Sequence, residues 1–339
     1  AQGYPARSPS SGRLALPRAY ELGCAMVDFV RRLFGPGDAT AAPPAPADKC
    51  AAVGGQTAPA PNGEPMPCVY VNHGGGPMPL LGQQPAVANF LSGYAATLPR
   101  LPRAILLVTA HWEETAVTVS TGAKPSLLFD YSGFPKESYE FKYPAPGEPT
   151  VATEALRLLQ EAGIKARSDD RRGWDHGVFV PMMLMFPGAN VPIVQMSLRS
   201  DQDAAHHIAV GQALAPLRKQ DVLIFGSGAS FHNFAYFFAR DPAQRKAGEV
   251  HSKHFDDWMR QTLTSAGLAP EQRLKALAGW EAAPSARECH PRGAAEHFVP
   301  LLVIAGAGGG APGFNVGDDS RGADTMGLSN FRFSQFEFR

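Results

Sequence analysis

The sequence AILLVTA at residues 104–110 is an uninterrupted apolar run of strand length, rich in aliphatic side chains. Runs of this kind are typical of parallel strands that helices cover on both faces. Three more runs share the pattern: CVYVN at 68–72, VPIVQMSL at 191–198 and DVLIFGSG at 221–228. Segments with helical spacing separate them. The sequence therefore predicts a single α/β domain with a mainly parallel central sheet flanked by helices.

The helices predicted around these strands occupy residues 85–98, 149–162, 201–220, 243–265 and 270–280. The segment IKARSD at 164–169 predicts a further strand, and the apolar run at 297–305 predicts a buried helix. The alternating pattern of FRFSQFEF at 331–338 predicts a late strand.

The first 66 residues differ in composition from the rest of the chain. Residues 1–20 hold three arginines and no acid, residues 19–34 fit one amphipathic helix, and residues 35–67 form an Ala/Pro/Gly-rich linker. We therefore divide the chain into an N-terminal extension, 1–66, and a catalytic domain, 67–339. An arginine-rich, acid-poor start is typical of transit peptides. The pattern leaves open a transit-peptide remnant of an organellar protein and a plain extension of a cytoplasmic one.

Charge and cysteine content argue against several classes of protein. Lys+Arg and Asp+Glu both number 31, so the chain has no net charge. Proteins that bind nucleic acid or an anionic membrane usually carry an excess of basic residues, so we expect neither as a partner. The four cysteines form no C-x-x-C pair, which favours free thiols in a reducing compartment. No apolar run reaches 18 residues, so no membrane span is predicted. Oligomeric state has no signature in the sequence.

Half of the ten histidines lie beside glycine-rich turns, strand ends or tryptophan. Three of these five follow predicted strands, and sites in open α/β sheets gather at the carboxyl ends of strands. Neutral imidazole is the commonest ligand for first-row metals and the usual acid–base group near pH 7. The five settings are NHGGGP at His73, TAHWEE at His111, WDHG at His176, GSGASFHN at His232 and AEHFVP at His297.

The local sequence leaves the partners of the first two histidines open. The GGGP that follows His73 lacks the pattern of a nucleotide-binding loop, so a phosphate site is disfavoured. Either Glu113 or Glu114 is a candidate partner that fixes the ring tautomer of His111. No G-x-S-x-G motif is present, so serine-hydrolase chemistry has no support.

The other settings are equally undecided on local grounds. Asp175 is a candidate either to orient the His176 ring or to cap the helix that follows. Glu296 and His297 are adjacent, and neighbours on a helix point about 100° apart, so only one of the two is expected to face the site.

Taken in order, these motifs resemble the class III extradiol ring-cleavage dioxygenases, the family of the protocatechuate 4,5-dioxygenase large subunit. They are most similar to its DOPA 4,5-dioxygenase branch. The resemblance runs from about residue 67 to the end and implies an α/β fold with a divalent metal at the strand ends. It rests on NHGGGP, TAHWEE, DYSGFPKESYEFKYPAPG (130–147), GWDHGVFVPMMLMFP (173–187), VPIVQMSL, GSGASFHN and EHFVPLLVIAGA.

The resemblance also implies roles for individual residues. His232 corresponds to the catalytic acid–base residue, which lies close enough to the metal to count as a ligand in some members, so a ligand role for His232 stays open. His176 corresponds to a residue that contacts substrate or oxygen. The family branch favours His297 over Glu296 as a ligand. The implied metal ligands are His73, His111 and His297, and the implied substrate-pocket residues are Tyr131, Phe134 and Tyr143.

The chemistry that the resemblance implies is ring opening of a small aromatic diol of the catechol type by O2, giving a semialdehyde acid. Fe(II) is the implied cofactor, with Zn²⁺ as the alternative in its place. Two other classes stay open: a zinc enzyme on the same fold, and a non-catalytic binding protein. The presence of His176 and His232 beside three ligands argues against the binding protein.

Overall fold

The computed structural model describes residues 63–318 and 330–339. The predicted helix at 19–34 and all but the end of the predicted linker lie outside the described residues. The strands of the described chain are β1 (Cys68–Asn72), β2 (Ala104–Glu114), β3 (Val117–Ser120), β4 (Ala166–Asp169), β5 (Ile193–Arg199), β6 (Val222–Gly228), β7 (Phe314–Asp318) and β8 (Ser334–Phe338).

The α-helices of the described chain lie between and after these strands. They are α1 (Pro85–Tyr94), α2 (Pro149–Glu161), α3 (His176–Met185), α4 (Ala204–Leu214), α5 (Phe234–Phe237), α6 (Pro242–Thr264), α7 (Pro270–Ala278), α8 (Ala286–Cys289) and α9 (Val299–Ala307). Short 3₁₀ turns extend α1 over Ala95–Thr97 and α4 over Ala215–Gln220.

The strands form one sheet in the order β4–β3–β5–β2–β6–β1–β8–β7. Its centre is parallel: β5, β2, β6 and β1 pair in one direction. The flanks are mixed, because β3 runs antiparallel to β5, and β8 runs antiparallel to both β1 and β7. The carboxyl ends of the four central strands therefore meet at one edge.

The central strands are apolar throughout because both of their faces are buried. In β2, Leu106 and Val108 belong to the larger core cluster, which includes side chains of α4, α6 and α9. The alternating residues Ile105 and Leu107 belong to the second cluster, with side chains of α1 and α3. This two-sided burial explains why residues 104–110 form a continuous apolar run.

The predicted α/β domain with a mostly parallel sheet is confirmed, with three local corrections. First, β2 continues to Glu114, so His111 lies inside the strand and not after it. Second, the last buried helix begins at Val299, so His297 lies in the turn before it. Third, β3 and β7 have no counterpart among the predicted strands. Among the described residues, no helix is both long and apolar enough to cross a membrane.

Candidate metal centre and active site

The five selected histidines meet at the carboxyl edge of the central strands. Three of them, His73, His111 and His297, have ring centroids 4.8–5.3 Å apart. His176, the first residue of α3, lies 3.9 Å from His111 between ring centroids. His232, in the turn after β6, stacks on His297 at 3.4 Å. The rings form one continuous cluster.

The tautomer of His73 follows from two linked hydrogen bonds. Ser227 Oγ lies 2.5 Å from the carbonyl oxygen of Gly177 and donates to it. The same Oγ therefore accepts the hydrogen bond from His73 Nδ1, at 2.8 Å. With its proton on Nδ1, the buried ring presents an Nε2 lone pair, the form that binds a metal ion.

The Nε2 atoms of His73 and His111 lie 3.2 Å apart. Two nitrogens that each bind one ion at about 2.1 Å lie roughly 3 Å from each other, so this pair has the spacing of two ligands on a single ion. Buried, neutral imidazoles suit Fe(II) and Zn²⁺ alike. The donor set therefore fits the divalent metal that the resemblance implies.

Asp130 is the acid that faces the outer nitrogens of two of these rings. Its Oδ1 accepts hydrogen bonds from both the backbone N–H and Nδ1 of His176, each at 2.9 Å. Its Oδ2 lies 3.6 Å from His111 Nδ1. The two acids proposed from the sequence as partners of the His111 ring make other hydrogen bonds. Glu113 accepts from Gln202, and Glu114 accepts from Trp112.

No local pattern marks Asp130 as a histidine partner, although it opens the DYSGFP motif. The loop that carries it reaches α3 only in the folded chain. Burial by itself would raise the pKa of Asp130, but the contact with His176 outweighs burial and lowers it. Conversely, burial would lower the pKa of His176, whereas Asp130 raises it.

Glu296 joins the other two rings. Its Oε1 lies 3.0 Å from His297 Nδ1 and 3.2 Å from His232 Nδ1. Both residues of the Glu296–His297 pair therefore face the site, contrary to the helical argument, because they precede α9. The carboxylate holds the Nδ1 proton of each ring and leaves each Nε2 as the nitrogen available for chemistry.

Burial keeps three of the five imidazole rings uncharged. It holds the pKa of His73 and of His111 well below the usual range, with neighbouring histidines adding to the effect. Burial likewise lowers the pKa of His297 to about 4, against the opposing pull of Glu296. These three rings are neutral near pH 7, as metal ligands must be.

The predicted ligand set differs in one member from a group of three histidines whose ligand atoms lie close together. Within the described residues, the ligand atoms of His73, His111 and His176 all lie within 4.8 Å of one another. Those of His232, Glu296 and His297 form a second such group. His73 and His111 belong to both the predicted set and the observed group, whereas the third ligand, His176 or His297, is not decided by proximity.

An aromatic wall lies beside His176. The Tyr131 ring is 5.9 Å from the His176 ring, and Phe134 packs edge-on against Tyr131 at 5.4 Å. Tyr131 donates its hydroxyl hydrogen bond to the carbonyl of Ser138. Two of the predicted pocket residues, Tyr131 and Phe134, are therefore next to the histidine cluster.

The third predicted pocket residue, Tyr143, lies elsewhere. Its hydroxyl is 3.0 Å from the carbonyl oxygens of both Met182 and Phe186, at the far end of α3 from His176. Its ring packs near Trp174 in the second core cluster. The structure thus gives Tyr143 a packing position at the end of α3 and does not bring it to the rings.

Two glycines allow the backbone to approach the rings closely. A Cβ at Gly177 would lie 2.8 Å from Thr109 Oγ1 and 3.1 Å from His111 Cδ2. A Cβ at Gly228 would lie 2.0 Å from the carbonyl oxygen of His297. Neither contact is compatible with a side chain, so both glycines are required by the packing around the site.

The chain matches the model of a known family. Residues 66–334 match the model of the catalytic LigB subunit of aromatic ring-opening dioxygenases. The chain belongs to this family, which confirms the resemblance found in the sequence. It is an oxidoreductase of the extradiol ring-cleavage class, and the dioxygenases of this family depend on a metal.

Relatives with curated names support the same class. The chain is 40% identical over 259 residues to the dioxygenase tasH of Hapsidospora irregularis, covering 71% of this chain and 78% of the relative. It is 35% identical over 272 residues to a 4,5-DOPA dioxygenase extradiol of Portulaca grandiflora, covering 78% and 94%. A protein of that name from Escherichia coli is 30% identical over 244 residues, covering 71% and 85%.

A solved structure agrees with the fold. The crystal structure of an uncharacterized protein from Escherichia coli is similar with a TM-score of 0.60 and 25% identity, covering 81% of this chain and 100% of that one.

Proposed function

We propose that residues 67–339 open the aromatic ring of a catechol-type substrate with O2 and release a semialdehyde acid, using a metal ion held by His73, His111 and His297. The observation that carries the proposal is the 3.2 Å separation of the His73 and His111 Nε2 atoms inside a cluster of five imidazoles. The relatives named 4,5-DOPA dioxygenase support a catechol with a side chain as substrate.

The proposed metal is Fe(II), with Zn²⁺ as the alternative that the same nitrogen donors fit. When bound, the ion supplies Lewis acidity that lowers the pKa of the catechol hydroxyls, and it brings the two reactants together. Metal analysis of protein purified without air, followed by activity assays with Fe(II) or Zn²⁺ added back, tests the choice. Activity restored by Zn²⁺ and not by Fe(II) would overturn the iron assignment.

For the third ligand we propose His297, because the resemblance assigns the ligand there and because Glu296 holds its Nδ1 proton and leaves Nε2 free. His176 is the competing candidate by proximity. Single His297→Ala and His176→Ala variants separate the two. Metal affinity should fall strongly in the first and little in the second, and the reverse result would move the ligand to His176.

We propose His232 as the acid–base residue. Its Nδ1 lies 3.2 Å from Glu296 Oε1, an arrangement in which the carboxylate orients the ring and leaves Nε2 as the nitrogen that exchanges a proton with the substrate. His232 Nε2 takes the proton of a catechol hydroxyl and later returns it to the opening ring. The His232→Ala variant should lose ring cleavage while keeping most of its metal affinity. Full activity in that variant would refute the role.

We propose that His176 and the aromatic wall position the substrate. With its Nδ1 proton donated to Asp130, His176 offers Nε2 for a hydrogen bond to substrate or oxygen. Tyr131 and Phe134 pack beside it and shield one side of the ring to be cleaved from water. Tyr143 has no place in this pocket proposal, because its hydroxyl is committed to the end of α3.

A panel of substituted catechols tests the function as a whole. The Fe(II)-loaded chain is mixed with each catechol under O2, and the absorbance of the ring-opened semialdehyde is followed, with His232→Ala as the matched control. At least one catechol should give product with the wild-type chain and none with the variant. Absence of product with every catechol would instead support a non-catalytic binding protein.

A further inference from the structure

We infer that Asp175 is a positioning residue for the metal centre, because it holds the backbone of His111 from both sides through Thr109 and Arg172. The inference rests on the proposed function only in taking His111 as a metal ligand. Asp175 touches neither imidazole nitrogen of His176, and its side chain makes no capping hydrogen bond to α3. Its carboxylate therefore has a role other than the two that its place in the sequence suggests.

The segment around His111 has lost regular strand pairing. Val108 pairs with Met196, and the next pairing of β2 with β5 joins Glu113 to Leu198. Over this stretch β2 advances five residues while β5 advances two, so His111 lies in an irregular bulge of β2. Bulges re-aim side chains and leave backbone groups without ladder hydrogen bonds. The backbone of His111 therefore needs partners from side chains.

One side of the His111 backbone is held through Thr109. The N–H of His111 donates to Thr109 Oγ1 at 3.1 Å. Since that oxygen is the acceptor, its own proton is free to be donated, and Asp175 Oδ1 lies 2.8 Å away to accept it. Thr109 and Asp175 are both fully buried, so no water competes for these bonds.

The other side is held through Arg172. Its Nη2 donates to the carbonyl oxygen of His111 at 3.0 Å and to Asp175 Oδ2 at 3.2 Å. The guanidinium also stacks on Trp112, 4.7 Å from the ring centroid. The chain of bonds thus runs from the N–H of His111 to its C=O and passes through one carboxylate.

The Asp175 carboxylate has a third hydrogen-bond partner, Gln195, which serves as an internal control. Gln195 Nε2 donates to Asp175 Oδ2 at 2.8 Å, yet no hydrogen bond of its side chain reaches His111. Replacing Gln195 with Met removes one hydrogen bond to Asp175. It leaves both arms that connect Asp175 to His111, the one through Thr109 and the one through Arg172. Replacing Thr109 with Val removes one arm while keeping the shape of the side chain.

The test measures Zn²⁺ affinity of the full chain by competition with a chelator, together with the visible absorption spectrum of the Co²⁺-loaded protein. Asp175→Asn and Thr109→Val should each raise the dissociation constant for Zn²⁺ about 10–100-fold, the usual effect of losing a partner that orients a ligand. Both should shift the Co²⁺ spectrum. Gln195→Met should change neither by more than about threefold. Circular dichroism confirms that each variant is folded.

The double variant Thr109→Val/Asp175→Asn should bind Zn²⁺ no more weakly than the weaker single variant, because the two residues act on the same backbone group. If Asp175→Asn does not fold, Thr109→Val alone decides. Wild-type Zn²⁺ affinity and spectrum in a folded Thr109→Val, or an effect of Gln195→Met equal to that of Thr109→Val, would overturn the inference.

A His111→Ala variant keeps failure of the inference distinct from failure of the proposed function. Weakened Zn²⁺ binding in His111→Ala with normal binding in Thr109→Val would refute only the positioning role. Normal Zn²⁺ binding in His111→Ala would refute the proposed ligand set. The positioning role of Asp175 would then be refuted as well, because His111 would not be a metal ligand.

Discussion

Replacing Gly228 with alanine places a methyl group against the backbone of a proposed metal ligand. The added Cβ would lie 2.0 Å from the carbonyl oxygen of His297 and 3.1 Å from the Tyr70 ring. That carbonyl already accepts hydrogen bonds from the Tyr70 hydroxyl at 2.9 Å and from the Ala229 N–H at 3.0 Å. These two hydrogen bonds fix the position of the carbonyl, so it cannot move away from the added methyl group without straining them.

The size of the effect follows from the distance. Cβ contacts in real proteins essentially never fall below 3.0 Å, so His297 must retreat by about 1 Å. Overpacking of this kind costs about 1–3 kcal/mol of the free energy of unfolding. A misplacement of about 1 Å in a reacting group lowers turnover by roughly 100-fold. We expect both losses in Gly228→Ala.

Gly93→Ala is the matched control, because Gly93 lies in α1 with nothing within 4 Å of an added Cβ. In a helix interior this change should add about 0.5–1 kcal/mol to the free energy of unfolding and leave turnover unchanged. The assays are thermal unfolding of the metal-free chains, Zn²⁺ affinity and ring cleavage. Wild-type metal affinity and turnover in Gly228→Ala would refute the placement of His297 at the reacting centre.

Three further predictions concern charge and metal. Asp130→Asn should lower kcat/KM about 10–100-fold, because His176 loses its carboxylate partner, whereas the exposed Asp170→Asn should have no effect in the same assay. His207 donates to a carbonyl and accepts from the Arg199 N–H at 3.0 Å, and burial lowers its pKa to about 4. The unfolded chain takes up this proton near pH 6.5, so the free energy of unfolding should fall as pH drops from 6.5 to 4, by up to about 3 kcal/mol from this group. A slope across that window unchanged in His207→Gln would contradict the assignment. Chelation should abolish ring cleavage reversibly and leave circular dichroism unchanged, since both core clusters are independent of the metal; unfolding of the metal-free chain would contradict this.

The parallel core was predictable because its signal is local. The run at 104–110 and the run at Cys68–Asn72 are apolar on both faces, and the second matches β1 at both ends. β3 escaped prediction because VTVS is only four residues long and carries no flanking pattern of its own. β7 escaped because Asn, Gly and Asp in FNVGD are depleted in strands.

The convergence of the histidines was predictable from topology, since three follow or end central strands. Their individual roles were not, because long-range contacts decide them. The direction of His297 depends on bonds from Tyr70 and Ala229 to its carbonyl. The placement of His111 depends on a bulge and on Asp175, which lies 64 residues further along the chain. No local spacing encodes either relation.

We propose that this cluster of histidines carries out metal-dependent ring opening of a catechol by O2. The most direct measurement is mass analysis of the product formed by the Fe(II)-loaded chain under labelled O2, with oxygen uptake recorded in parallel. We predict one O2 consumed for each ring opened, and a product with two oxygen atoms more than the substrate, of which the carboxylate oxygen stays labelled while the aldehyde oxygen exchanges with water. A product that contains no labelled oxygen atom, or ring opening that proceeds equally in a His73→Ala/His111→Ala variant, would contradict the proposal.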